Sequence, residues 1–339
     1  MVARKVKLSD VARRAGVSPA TVSRAISQPD LLSAATLKRV RAAAQALGYV
    51  PDGAARALAS GRSMTIGAIV PTLDSTIFAR FLQSLQSTLA RDGYQLLVAS
   101  HEMNPAAETE AVRMLLARGA DGLILVGADR PRSTLDLLRT GGVPVVLTWC
   151  GAPDFACVTV DNERAGYLAA QHLLDLGHTR IGMVTGRLSF NDRQRARLAG
   201  ARQAMRKAGR EIPDWRVNEQ DLSLAGGRIG CAALLQLDTP PTGIIGTIDL
   251  LAIGCLQEAR ARRLTVPTDL SIVGIDDVDM SAYLTPSLTT VHIPTGRIGQ
   301  TAAAMVVSLL ENGEARTHVD LPIELVVRRS TARAGGEAR

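Results

Sequence analysis

The chain has 339 residues, 46% apolar and 21% charged, which excludes a disordered polypeptide and exceeds what one ordinary core holds. No apolar run reaches bilayer length, and the basic start "MVARKVKLSD" has no apolar segment behind it, so neither a span nor a signal peptide is expected and the cytoplasm is the expected location. Net charge is +7, but residues 1–62 hold eleven Lys and Arg against three Asp, so a head of +8 precedes a body of −1; that split is the footprint of a nucleic-acid-binding module joined to something else.

In chain order, Leu8, Val11, Ala12 and Ala15 repeat at helical spacing, with Ser9 and Asp10 placed as cap and first-turn acid and Gly16 as the stop. In "VSPATVSRAIS", Ser18 is expected as N-cap and Pro19 as the first helical residue, where its missing N–H costs nothing. Val22 and Ile26 face inward; Pro19, Ala20, Ser23 and Arg24 face out. A third helix follows Ser33, with Leu37, Val40, Ala44 and Leu47 on one face, and stops at Gly48. Helix, glycine turn, capped helix and third helix form a helix-turn-helix arrangement. Its second helix suits the major groove: the hydroxyls of Ser18, Thr21 and Ser23 can bond phosphates, and Arg24 alone carries a fork for guanine. Pro51 and Asp52 then open "PDGAARALAS", a marginal helix through Ala55 and Leu58 that reads as a linker: either it forms on DNA, with Leu58 wedged into a base step, or it is a flexible tether with Leu58 packed on the body.

From Thr65 the pattern becomes strand–helix alternation. "TIGAIV", "YQLLVAS", "DGLILV" and "VPVVLTW" read as buried parallel strands, with helices near 77–92, 105–118 and 133–141. "VTV", "IGMVT", "GIIG", "SIVGI" and "LTTVHI" continue the theme, alternating with helices near 164–176, 192–208, 225–236, 250–262 and 297–312. This predicts a doubly wound α/β body in two lobes, with a ligand cleft beyond the carboxyl ends of the strands. Cys150, Cys157, Cys231 and Cys255 have no CxxC spacing, and the five histidines form no ligand pair, so no metal site is expected. No dinucleotide fingerprint, P-loop, G-x-S-x-G or carboxylate signature is present, so neither a cofactor nor a catalytic role has support.

Over practically its whole length the chain resembles the LacI/GalR family of bacterial transcriptional regulators. The head carries the resemblance in "LSDVARRAGVSPATVSRAIS" and "AAAQALGYVPDGAARAL". The body carries it in "IGAIVP", "VDNERAGYLAAQHLLDLGHTRIG", "RLAG", "SIVGIDD", "LTPSLTTV" and "VVRRST". The resemblance implies a helix-turn-helix domain over 1–50, a hinge over 51–63 and a periplasmic-binding-protein-like core of two α/β lobes over 64–339. It implies a non-enzymatic regulator, a repressor by type, that binds a palindromic double-stranded operator as a homodimer, with a tetramer left open. Leu8, Ser18, Pro19, Ala20, Thr21, Ser23, Arg24, Ala55 and Leu58 would meet DNA, with Leu58 the minor-groove wedge. Asp52 and Ser27 stand where the family commonly has asparagine; Asp also caps, so the first departure is mild.

By the same resemblance Ile77, Phe78, Trp149, Asp161, Arg197, Leu222 and Asp276 would line the effector site. Trp149 and Phe78 also fit a core, and Asp161 also fits a helix cap. Arg193, Arg195 and Arg197 crowd one segment, and 193 and 197 share a helical face. Two inward guanidinium groups would favour a sugar acid such as an aldonate, while Asp276 favours hydroxyls; a neutral sugar or nucleoside stays open. The alternatives are a solute-binding protein of a sugar transport system, opposed by the basic head, and a sugar-processing enzyme, opposed by the lack of a catalytic constellation.

Overall fold

The computed structural model describes residues 6–51, 57, 61–313 and 318–335. Asp52, Ala55 and Leu58, and with them most of the expected hinge helix, lie outside the described residues.

The head contains α1 (Leu8–Ala15), α2 (Pro19–Ser27) and α3 (Ala34–Leu47). They pack around Val11, Ala12, Ala15, Val22, Ala25, Val40 and Ala43, with Leu8, Ile26, Leu37, Ala44 and Leu47 partly buried against them. Ala25, unmarked in the pattern, is a core residue because it lies three positions after Val22 on the same helical face. Gly16 and Gly48 have φ of 63° and 61°, so each closes its helix in the left-handed region. Ser18 caps α2 through its Oγ, which accepts the Thr21 N–H at 3.1 Å. Ser9 does not cap α1: Lys7 is the N-cap residue, and its N–H donates to Asp10 Oδ2 at 3.0 Å. Asp10, three residues into the helix, reaches back to the N-cap N–H as the acid of a capping box.

The body is built on two six-stranded sheets. The first runs in the order β11-β5-β4-β3-β1-β2, from β1 (Thr65–Val70), β2 (Gln95–Ser100), β3 (Gly122–Val126), β4 (Val145–Trp149), β5 (Ala156–Val160) and β11 (His318–Leu321). The second runs β12-β10-β9-β8-β6-β7, from β6 (Ile181–Gly186), β7 (Val217–Gln220), β8 (Gly243–Gly246), β9 (Ser271–Asp276), β10 (Thr289–His292) and β12 (Glu324–Val326). The helices are α4 (Thr76–Leu89), α5 (Pro105–Ala117), α6 (Arg132–Thr140), α7 (Asn162–Asp175), α8 (Asp192–Lys207), α9 (Leu224–Leu235), α10 (Asp249–Ala261) and α11 (Thr295–Asn312). The chain leaves the first sheet after β5, returns after β10 through α11, which packs on α4, and leaves again after β11.

Two expectations are corrected. Residues 95–100 are not a buried strand: β2 is the outer strand of its sheet, and Leu97 and Val98 are exposed. An edge strand lacks a neighbour to bury it, so its apolar run carries the same letters as a central strand in a different setting. Nor is the second sheet wholly parallel, since β12 pairs antiparallel with β10. The three short strands β7, β11 and β12 carry too few apolar residues to announce themselves.

One packing contact sets up the site. Helices α7 and α8 cross at Gly166 and Gly200; a Cβ on Gly166 would overlap the Arg197 carbonyl oxygen, and one on Gly200 the Glu163 carbonyl oxygen. Glycine at both places lets the two backbones touch, bringing the start of α7 alongside Arg197 on α8.

Candidate functional site

Two surfaces carry the chemistry, one in each unit of the chain. On the head, Ser18, Pro19, Ala20, Ser23 and Arg24 are exposed along α2, and Thr21 is half-buried. Ser18 Oγ already serves the cap and lies 2.9 Å from Thr21 Oγ1, so these two hydroxyls form a fixed pair at the helix start. Among the described residues Arg13 pairs with Asp10 at 2.7 Å, while Arg24 has no carboxylate partner. Among the described residues its fork is therefore not taken up by a surface salt bridge and is available to an outside acceptor. Leu8 is partly buried in the head core.

In the body, the carboxyl ends of the two sheets meet at a polar cluster. Arg197 on α8 is 2% exposed and uses three nitrogens: Nε donates to Asn162 Oδ1 at 3.0 Å, Nη1 to the Thr247 carbonyl at 2.6 Å and Nη2 to Asp276 Oδ1 at 3.2 Å. Asn162, the first residue of α7, passes the connection to the first sheet: its Nδ2 donates to the Trp149 carbonyl at 3.1 Å. Asp276 ends β9 with φ 128°, is buried, and has an Oδ2 with no hydrogen-bond partner among the described residues. Burial pushes its carboxyl up to about 7, against the pull of Arg197 and with a further push from Asp249. A buried acceptor left open beside a fixed guanidinium is the group a ligand hydroxyl would complete.

Trp149, ending β4, is 2% exposed; its ring meets Phe81 at 4.9 Å and Phe78 at 5.7 Å, both edge-on. Phe78 and Ile77 are half-buried at the start of α4. The aromatic group is thus part of the first lobe's packing as well as its cleft-side end. Asp161 is exposed, and its Oδ1 accepts the Arg164 N–H at 2.7 Å as the cap of α7; the neighbour that enters the cluster is Asn162. Leu222 is 37% exposed and lies over Gly186, where a Cβ would come 2.6 Å from its Cδ2.

The arginine-rich start of α8 divides as its helical spacing predicts. Arg193 and Arg197 turn inward, and Arg195 is exposed. Arg193 Nη1 lies 3.1 Å from Asp192 Oδ1, and Arg195 Nη2 lies 2.7 Å from Asp129 Oδ2. Burial would raise Asp192, but Arg193 and the N–H groups of Ala128 and Arg193 hold its carboxyl below the ordinary range. Asp192 Oδ2 accepts the Ala128 N–H at 2.6 Å, so this helix start fastens one lobe to the loop after β3 of the other. A second buried pair, Arg130 with Glu108 at 3.1 Å, lies behind that loop. His101, Glu108, Phe190, Asp192 and Arg193 line a cavity of about 20 Å³ there. That is room for roughly one water.

Asn162, Gln194, Thr247 and Asp249 were missed as site residues. Gln194 Oε1 accepts from the Thr185 hydroxyl at 3.0 Å and from the Thr247 hydroxyl, tying β6 to β8 under Arg197. For Asn162, Thr247 and Asp249 the available signal was positional, each lying just past the carboxyl end of an apolar run, where open α/β sheets place ligands; Gln194, inside α8, has no such signal.

Comparison with known proteins finds matches in both the head and the body. Residues 7–52 match the model of bacterial regulatory proteins of the lacI family, and residues 170–331 that of the periplasmic binding protein-like domain. The chain is 31% identical over 328 residues to the HTH-type transcriptional repressor PurR of Aliivibrio salmonicida, covering 95% of this chain and 98% of that protein. It is 32% identical over 327 residues to the HTH-type transcriptional repressor CytR of Escherichia coli K12, covering 96% of each. Among solved structures, the lac repressor dimer bound to operator and the anti-inducer ONPF is similar with a TM-score of 0.85 at 28% identity, over 97% of this chain and 100% of that one.

Proposed function

The chain belongs to the LacI family of bacterial regulatory proteins, and from that premise we propose that its effector is a sugar or sugar acid held between the two body lobes. The coarser statement is plain: this is a DNA-binding transcriptional repressor regulated by a small-molecule effector. The division that serves this function is a reader over 1–50, a hinge over 51–63 and an effector core over 64–339.

The observation that carries the effector reading is Asp276 Oδ2, a buried acceptor without a partner, 3.2 Å away from Arg197 through its sister oxygen. A ligand hydroxyl satisfies it, and vicinal hydroxyls can reach Asn162 and Arg197 as well. Ile77, Phe78, Trp149 and Leu222 supply apolar edges suited to a sugar ring. Arg193, Arg195 and Arg197 each already face a carboxylate, so charge alone does not demand an anion. The sugar-acid form is favoured by Arg193, which lines the small cavity one turn before Arg197 on α8.

Pro19, Ala20 and Arg24 read the operator in the major groove, Leu8, Ser18, Thr21 and Ser23 secure the head on DNA, and Ala55 and Leu58 complete the contact. The operator is palindromic and the reader a homodimer. Exposed Leu97 and Val98 on edge strand β2 support a second copy, since an apolar strand edge is costly to leave in water. The effector acts by binding open and closed lobe arrangements unequally.

The test is a thermal-shift screen of the full chain with neutral sugars and their matching acids, glucose beside gluconate and galactose beside galactonate. A hit raises the melting temperature with occupancy and changes operator binding. Silence across the neutral and acidic sugars removes the class; a response to a nucleoside alone replaces it.

A further inference from the structure

The turn after β9 is strained and has an unassigned support. Asp276 and Asp277 have φ of 128° and 54°, consecutive left-handed residues that both carry side chains. Such strain persists only where the surroundings fix it. Asp249, the first residue of α10, is fully buried against this turn. Its Oδ2 accepts the Val278 N–H at 2.9 Å and the Ser281 hydroxyl at 2.6 Å, and its Oδ1 accepts the Thr290 hydroxyl. Gly274 on β9 makes room, since a Cβ there would overlap Asp249 Oδ1. On the other side Asp277 is held by Arg328 Nη2 at 2.6 Å and by His292 Nδ1 at 3.0 Å.

We propose that Asp249 is a positioning residue of the effector site, holding the 276–281 turn in the strained shape that keeps Asp276 Oδ1 on Arg197 and leaves Oδ2 for the ligand. The proposal rests on reading the cleft as the effector site. Val278 N–H can only donate, and the Ser281 and Thr290 hydroxyls also turn their protons to Asp249, so a carboxylate accepts all three at once. Asparagine keeps the size but has one acceptor oxygen, so at least one of the three bonds is lost or must reverse at a hydroxyl.

Asp249 also acts on Asp276 through charge. The groups facing Asp276 are Arg197 and Arg193 from α8, Asp249 from α10, and Asp277 of its own turn with Arg328 and His292 beyond it. Asp249 is the acid that pushes Asp276 up, so its removal lets Asp276 ionise at lower pH.

The experiment needs no effector. Aspartate carboxyl carbons are labelled in the full chain, and Asp276→Asn identifies the Asp276 signal. The parent midpoint is expected near 7. In a crystal structure of Asp249→Asn, φ of 276 and 277 should change and Asp276 Oδ1 should leave Arg197, a loss that raises the midpoint against the fall from removing the Asp249 charge. Unchanged φ with the Arg197 contact intact, whatever the midpoint, overturns the proposal. If Asp249→Asn does not fold, Ser281→Ala tests the same support by amide exchange. Val278 should exchange roughly fivefold faster or more relative to β9, and equal rates overturn it. The sugar screen on Asp276→Asn decides the effector reading separately, so failure there leaves the titration and exchange results to stand by themselves.

Discussion

Two arginines on two capped helices do opposite work in this chain. Arg24 lies on α2 behind the Ser18 cap, exposed and without a carboxylate partner among the described residues. Arg197 lies on α8 behind the Asn191 cap, 2% exposed, with three acceptors and Asp276 at 3.2 Å. An exposed unpaired guanidinium costs the fold nothing and waits for a base edge or a phosphate. A buried paired one is part of the fold, and removing it strands its partner. On the proposed roles, substitution on one exposed face changes what the head reads without touching its fold, whereas in the body the proposed effector contacts are also structural ones.

The sharpest way to break that contrast is Arg197→Ala. It leaves the Asp276 carboxyl buried without its cation, so the body should lose about 3–5 kcal/mol of stability and all effector response, read by thermal melting and operator binding with and without effector. A variant that melts like the parent would place Arg197 with Arg24 as a dispensable cation. Arg24→Ala comes next: operator affinity should fall by about 1–3 kcal/mol while non-specific binding holds. Its melting temperature should stay close to the parent's. Equal loss on specific and random duplex at one salt concentration would make Arg24 a phosphate contact instead. Ser18→Ala then tests the cap: about 1 kcal/mol of head stability should go, monitored by hydrogen exchange in α2, with the effector-induced melting shift unchanged.

The sequence made this contrast half visible. Helical spacing assigned Arg24 to an outward face and separated Arg193 and Arg197 from Arg195, because direction on a helix follows from position. The helix-turn-helix order and the strand–helix alternation were legible for the same reason, being written in local apolar periods and glycine stops. The partners of Arg197 were not. Asn162, Thr247 and Asp276 lie 35, 50 and 79 positions away; Asn162 meets Arg197 because Gly166 and Gly200 let α7 and α8 touch, and Thr247 and Asp276 because β8 and β9 are paired neighbours. Asp161 and Asn162 show the limit most closely: adjacent polar letters, of which one caps a helix in solvent and the other enters the cluster. Strand β2 shows it for the fold, since edge and centre positions share one apolar pattern.

The smallest expected effect tests whether exposed pairs in the body belong with Arg24 or with Arg197. Arg80 on α4 reaches Asp279 beyond β9 at 3.2 Å, joining the two lobes, with side chains 55% and 81% exposed. Screened by water on both sides, the pair should contribute less than about 1 kcal/mol to melting, so Arg80→Ala should leave the fold as it is. Yet the pair forms only where the lobes approach, whereas every bond of Arg197 to Asp276, Asn162 and Thr247 lies within one lobe. Losing it therefore disfavours the closed arrangement alone. If closure is what the effector selects, Arg80→Ala should weaken effector affinity by up to about fivefold without touching operator binding in its absence. Titration calorimetry would show this as a Kd change at constant melting temperature. A stability loss without a Kd change would instead class Arg80 with the packed interior.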